Sequence, residues 1–224
     1  MPQPADLNVV RHGQSPMPPP ADLIVVRHGQ STWNAEHRWA GQADPALSDL
    51  GRGQAAELAQ RCRGEGIGAV VTSDLSRARE TGEIVAKVLG LDPPTELPDL
   101  RERWSVTLSG LTSPEIEAAF PGVLAAWRAG TSTELPGDSE AFDAFSARIL
   151  RGLRTAACKP GEAGMAGKPG EADMAGKPGV VLVVAHAGVL RTLAGQGSVS
   201  ANADGRRFSI SADGVVDHGP LGSG

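Results

Sequence analysis

Apolar positions recur along the chain with two different periods, and the way those periods alternate predicts the architecture. Residues 23–26, LIVV, are a short β-branched apolar run of the kind that forms a strand buried on both faces. Residues 52–62 place Ala55, Leu58, Ala59 and Cys62 at helical spacing, with Ser48 and Asp49 near the start and Gly64 and Gly66 breaking the pattern. Residues 67–71 predict a second strand. The helix after it is expected to begin at Ser73 or Asp74 and to carry Leu75, Ala78, Val85, Val88 and Leu89 on one stripe until Gly90 stops it. Ser113 and Pro114 mark another helix start, Asp138 or Ser139 can cap a helix to about Ala157, and 180–184 (VVLVV) reads as a third buried strand. A helix from Ala187 to about Gly195 follows. One or two terminal strands are expected around turns at Asp204-Gly205 and Asp213-Gly214. Strands alternating with helices predict a single three-layer α/β domain, a mostly parallel sheet with helices on both faces.

Two repeats interrupt this pattern. The segment 1–16, MPQPADLNVVRHGQSP, recurs as 17–32, MPPPADLIVVRHGQST, but only the second copy continues into patterned sequence. Asn8 puts an amide where Ile24 would be buried, and Pro16 replaces Thr32. The first copy, 1–16, is therefore expected to be a dispensable extension, its Arg11-His12-Gly13 triplet idle, and 17–224 the domain. A second repeat restarts at Lys159, Lys168 and Lys177, and its proline and glycine density predicts a flexible surface loop over 159–179.

Composition narrows the partners. A chain of 224 residues with a net charge of −5 carries no overall basic field, which argues against nucleic acid and anionic membrane surfaces. Any anion site must be local. Cys62 and Cys158 are too few for a disulfide framework and lack metal-ligand spacing. The first residues have no basic or apolar signal region, and no stretch approaches the ~18 apolar residues of a membrane span. A soluble, cytoplasmic protein is expected.

Three groups fall at equivalent places: Arg27 and His28 after the first strand, Arg77 in the helix after the second, and His186 after the third. Ligands of open α/β sheets collect at the carboxyl ends of strands, where helix N-termini offer unpaired N–H groups to an anion. Guanidinium forks and a second imidazole around one phosphate can stabilise the equatorial oxygens while a neutral imidazole attacks in line. No metal or other cofactor is then needed. A carboxylic acid such as Glu102 could protonate the leaving oxygen, although Glu134, Asp138 and Glu140 are alternatives that a loop could bring near.

The motifs RHGQSTWN from Arg27, SDLSRARET from Ser73, LRER from Leu100 and VVAHAG from Val183 together resemble the histidine phosphatase superfamily, which includes the cofactor-dependent phosphoglycerate mutases. The resemblance spans roughly residues 22–191 and implies a phosphoglycerate mutase-like fold. By position it implies His28 as the phosphohistidine nucleophile, Arg27, Arg77 and His186 as the phosphate pocket, Glu102 as proton donor and Asn34 beside the phosphate. His37 and His218 lie outside the motifs and are expected at the surface. The sequence departs from the pattern twice. The stretch between the last helix and the final strand is short, and Ser105-Val106 replaces an aromatic-glycine pair after the acid.

The expected activity is metal-independent hydrolysis of a phosphomonoester through a phosphohistidine. The partner is then a small phosphorylated metabolite, and a homodimer is compatible with it. A mutase is the first alternative. The chain has no tyrosine and lacks the extended basic and aromatic segments of those mutases, and Gln42 stands where they resemble this stretch with tryptophan. A catalytically silent domain that binds a phospho-ligand or a protein is the second. The complete set of His28, Arg27, Arg77, Glu102 and His186 argues against it.

Overall fold

Six strands form one sheet: β1 (Ala21–Arg27), β2 (Ile67–Thr72), β3 (Thr95–Glu96), β4 (Val180–Ala185), β5 (Gly205–Ile210) and β6 (Val215–Pro220), in the order β3-β2-β4-β1-β5-β6. The structure, a computed structural model, describes residues 21–158, 179–195, 201–211 and 214–222. The 1–16 extension, nearly all of the 159–179 loop and the expected Asp213-Gly214 turn thus lie outside the described residues or at their edge. β1, β2, β3 and β4 pair in parallel, while β5 runs antiparallel to β1 and to β6. The sheet is mostly parallel, as the alternation of strands and helices predicts.

The helices are α1 (Thr32–Ala35), α2 (Asp49–Arg61), α3 (Ser76–Leu89), α4 (Ser113–Ala119), α5 (Val123–Arg128), α6 (Phe142–Ala157) and α7 (Ala187–Ala194), with a 3-10 turn at Pro98–Leu100. Because alternate strand residues face opposite ways, β1 and β4 feed two cores at once. Leu23, Val25, Val181 and Val183 pack with Phe145, Ile149 and Leu153 of α6 and Val189 and Leu190 of α7. Ile24, Val26, Leu182 and Val184 pack with Leu58 and Ala59 of α2 and Ala78 and Val85 of α3. Full burial of each valine, leucine, isoleucine or phenylalanine among them stabilises by roughly 1.5–3 kcal/mol, and this explains the uninterrupted apolar runs. A satellite cluster of Leu108, Ile116 and Leu124 holds α4 and α5 beyond the sheet edge. Among the described residues no helix is long and apolar enough to cross a membrane.

Several helix starts differ from expectation, those of α3 and α6 because a polar side chain found another partner. α3 begins at Ser76, since Ser73 Oγ accepts from Leu75 N and Asp74 is taken by Arg101, at 2.8 and 2.6 Å. α6 begins at Phe142, since Ser139 bonds Ser105 Oγ and the Pro136 carbonyl. α4 is capped by Thr112 in a capping box with Glu115, one residue before Ser113. Asp204-Gly205 is no hairpin turn: Asp204 N closes a turn on Ala201 O and Gly205 opens β5. β6 is a largely exposed edge, with Val216 turned to solvent, while Phe208 and Ile210 of β5 remain in the core.

Candidate active site

The register of the sheet brings the chemistry together. Arg27 is level with Ala185 in the β1–β4 pair, and Val184 is level with Thr72 in the β2–β4 pair. The residues that leave this edge next, His28, His186 and Ser73, are therefore neighbours: His28 N donates to Ala185 O at 3.0 Å and Ser73 N to Val184 O at 3.1 Å. The loop after His28 lies against the first turn of α2. A Cβ at Gly29 would meet the Gly51 backbone, so glycine is required for that approach. Gly29 N is received by Thr81 Oγ1 at 3.1 Å, which ties the loop to α3.

His28 is buried and its protonation is set by its partners. Nδ1 lies 2.6 Å from the Gly29 carbonyl, which can only accept, so Nδ1 carries the proton. Nε2 receives the Nε–H of Arg77 at 3.2 Å, and a guanidinium can only donate, so Nε2 holds a lone pair. Burial, then the charges of Arg77 and Arg27, hold this imidazole well below the usual histidine range, outweighing the opposing Gly29 bond. The ring is neutral, with its lone pair on Nε2.

Arg77, on the first turn of α3, is 1% exposed, and its two terminal nitrogens donate to the carbonyls of Ala43 and Gly41 at 2.8 Å each. It both orients His28 and pins the 41–43 loop. His186 caps α7 with its ring fully buried, 5.1 Å between centroids from the His28 ring. Neither of its ring nitrogens has a hydrogen-bond partner among the described residues. Burial and then the Arg77 charge push it well below the usual range, so it too is neutral. Leaving such a group unpaired costs roughly 1–3 kcal/mol, which an entering acceptor would relieve. Arg27, at the end of β1, faces the same cavity, and desolvation followed by the Arg191 charge lowers it to about 10.

Glu102 is the carboxylate that the fold brings here; Glu134 and Asp138 do not line the cavity, and Glu140 is spent on Arg148 and the Trp104 amide. Its Oε2 accepts from Gly188 N on the first turn of α7 at 2.9 Å and its Oε1 from Arg103 N at 2.7 Å. Gln42 Nε2 donates to its carbonyl at 3.1 Å. Asn34 lines the cavity, but its Oδ1 is engaged by Ser31 N and by Asn202 Nδ2, both at 3.2 Å. It positions the loop as much as it faces the pocket. His37 is exposed at the cavity mouth with a left-handed φ of 57°, and His218 is exposed on β6 beside Ser209.

Four contributors were missed from sequence. Asn202 donates to the His28 carbonyl at 3.2 Å from 174 residues away, and no local signal marks it. Arg103 sends Nε to the Glu140 carbonyl at 2.7 Å and buries its charge against the 133–140 loop. Arg191 and Trp127 meet across the cavity wall. Of these, Arg103 closes the LRER motif and Arg191 lies one turn beyond VVAHAG, while Asn202 and Trp127 lie outside the motifs. Together these residues surround a cavity of about 590 Å³, within the usual range for a small-metabolite site.

A family model described as the histidine phosphatase superfamily, branch 1, matches residues 23–216. The chain is 34% identical over 156 residues to a metal-independent phosphoserine phosphatase of Arabidopsis thaliana, covering 69% of this chain and 59% of that protein. It therefore spans less than two thirds of that relative. Over 72 residues, 32% of this chain and 33% of the other, it is 50% identical to a probable phosphoglycerate mutase of Photorhabdus laumondii. Its fold superposes on a mycobacterial glucosyl-3-phosphoglycerate phosphatase, solved in complex with VO3, with a TM-score of 0.74. The identity is 28%, and 88% of this chain and 97% of that one are covered.

Proposed function

The chain belongs to the histidine phosphatase superfamily, and from that premise we propose that it hydrolyses a phosphomonoester of a small metabolite through a phosphohistidine on His28. The observation that carries this reading is the pair of bonds that leaves His28 neutral with its lone pair on Nε2, against Arg77 at the wall of the cavity. An entering phosphoryl group takes over the Arg77 N–H, and Arg27 and Arg77 draw charge from its oxygens. His186, unpartnered beside His28, gains an acceptor in the same oxygens. Asn34 holds the edge of the pocket.

Nε2 then forms a bond to phosphorus as the P–O ester bond breaks, and Glu102 gives its proton to the leaving oxygen. In the second half Glu102 takes a proton from water, the water oxygen bonds to phosphorus, and the N–P bond breaks to return free His28 and inorganic phosphate. The arginines supply the charge that phosphoryl transfer needs and neutral His186 an N–H donor, so a metal has no step in this scheme. The setting we assign is the cytoplasm, in keeping with two free cysteines.

Turnover of p-nitrophenyl phosphate with release of inorganic phosphate, and acid-quench capture of label on His28, test the reading. Interconversion of 2- and 3-phosphoglycerate without net phosphate release would replace it with a mutase. No turnover of either kind would leave a binding domain.

A further inference from the structure

The turn at 201–204 belongs to none of the sequence motifs, yet it is fastened to the end of β1. Arg27 N donates to Asp204 O at 2.9 Å, and Ala203 N donates to the carbonyls of Arg27 and His28 at 3.1 and 3.2 Å. Ala203 is buried with a left-handed φ of 59°, a conformation that a residue with a Cβ holds only where its surroundings enforce it. Arg61 supplies part of that enforcement, since its guanidinium binds the Ala203 carbonyl and pairs with Asp204 at 3.0 Å. The backbone around residue 202 is thereby fixed against the residue that carries the nucleophile.

From this turn Asn202 Nδ2 donates to two acceptors, the His28 carbonyl and Asn34 Oδ1, each at 3.2 Å. The orientation of both amides follows from their partners. A carbonyl only accepts, so the atom of Asn202 beside His28 is nitrogen. Ser31 N only donates, so the atom of Asn34 that it meets at 3.2 Å is oxygen. Asn34 therefore has its oxygen engaged twice, while its Nδ2, with two N–H donors, has no hydrogen-bond partner among the described residues, on a side chain that lines the cavity. The Ser31 bond ties Asn34 to its own turn at the start of α1, and the Ala203 amide already serves the His28 carbonyl. What Asn202 adds is the link between the two: it joins the start of α1 to the end of β1.

Resting on the hydrolase reading above, we propose that Asn202 is a positioning residue that acts through Asn34: its forked amide holds Asn34 with Nδ2 aimed at the transferring phosphoryl group, in fixed relation to His28. A donor held in place before charge builds on the equatorial oxygens needs no reorganisation during transfer, whereas one free to swing with its own turn loses much of its effect with a displacement of about an ångström. Asn202 itself makes no bond to the phosphoryl group in this scheme.

A double-mutant cycle on p-nitrophenyl phosphate tests the link. Asn34→Ala should lower kcat by about 10²–10³-fold, the cost of one preorganised donor, and Asn202→Ala by about 10-fold, with smaller changes in KM. In the double variant the Asn202 loss should disappear, leaving kcat within about threefold of Asn34→Ala alone, because a residue that acts through another has nothing left to position. Single losses that multiply, or Asn202→Ala with wild-type kcat, overturn the proposal. Asn202→Leu, of similar shape and without donors or charge, carries the same cycle should Asn202→Ala fail to fold. Calorimetric binding of orthovanadate and of inorganic phosphate to the same full-length chains gives a readout independent of turnover. Vanadate, which takes up the five-coordinate geometry of transfer, should bind about 10-fold more weakly to Asn202→Ala, and phosphate less than about threefold more weakly. Equal weakening of both overturns the proposal, since it marks a disturbed pocket and not a positioned donor. Coupling of the two asparagines in vanadate binding, in a wild type that turns over no ester, would sink the hydrolase reading and leave the Asn202 link standing.

Discussion

Arg77 donates its Nε–H to His28 Nε2 at 3.2 Å while the Gly29 carbonyl receives His28 Nδ1–H at 2.6 Å. Between a group that only donates and a group that only accepts, the imidazole has one tautomer available, and it is the one whose free electron pair points toward the guanidinium wall. His28→Ala should lower kcat by at least ~10⁴-fold, as loss of a covalent nucleophile does. Acid-quenched wild type should carry radiolabelled phosphate on a histidine and the variant none. Label on a serine, or activity retained in the variant, would contradict the assignment.

Arg77 combines two jobs, so its removal should register in two measurements. Arg77→Gln is expected to lower kcat by about 10²–10³-fold, the usual cost of losing one preorganised donor to a transferring group. The Gly41 and Ala43 carbonyls lose their partners as well, at roughly 1–3 kcal/mol each where they stay buried, so Tm should fall by several degrees. A variant with unchanged Tm and slow turnover would mean that the 41–43 loop does not depend on this side chain.

Gly188 offers a way to displace Glu102 without altering it. A Cβ at Gly188 would run into Glu102 Oε1 and stand 3.0 Å from its Cδ. Gly188→Ala and Glu102→Gln should each slow hydrolysis of an alkyl phosphate by about 10²–10⁴-fold, the range of general acid catalysis. p-Nitrophenyl phosphate, whose leaving group needs no proton, should suffer far less in both. Equal losses on the two esters would instead indicate a collapsed pocket.

Buried neutral histidines make stability depend on pH. His28 and His186 both titrate well below 6.5 in the folded chain, chiefly through desolvation, whereas they titrate near 6.5 when unfolded. Between those limits the unfolded chain binds more protons, so stability is fully present above about pH 6.5 and is lost as pH falls below it, by up to ~1.4 kcal/mol per ring per pH unit. Urea unfolding at pH 7.5 and 5.5 measures the slope. ¹⁵N shifts of both rings at pH 6.5 should be those of neutral imidazole, and half-protonated rings at that pH would refute the burial argument.

Chelation should leave turnover intact, because on this reading the charge at the phosphate comes from Arg27 and Arg77, with His186 as a neutral N–H donor. Activity lost to EDTA and restored by Mg²⁺ or Zn²⁺ would show that a metal takes part in the step.

The strands and their order of appearance were legible because burial on both faces demands unbroken apolar runs, as LIVV at 23–26 and VVLVV at 180–184 supply. Arg27, His28, Arg77 and His186 were legible for a related reason: each sits within a few residues of a strand's carboxyl end, so their convergence follows once the strands are parallel. Helix starts were less legible. Asp74 and Ser139 are good caps locally, but Arg101 and Ser105, distant in sequence, compete for them and win. What only the tertiary structure decided is the set of contacts that cross the sheet edge: Asn202 on the His28 carbonyl, the Gly188 amide on Glu102, and the meeting of Arg191 with Trp127. Local periodicity records which face of an element is buried, whereas these pairings depend on how the elements pack. Arg191 over Trp127 is such a pairing: 64 residues separate the guanidinium from the indole beneath it, and no local pattern links them.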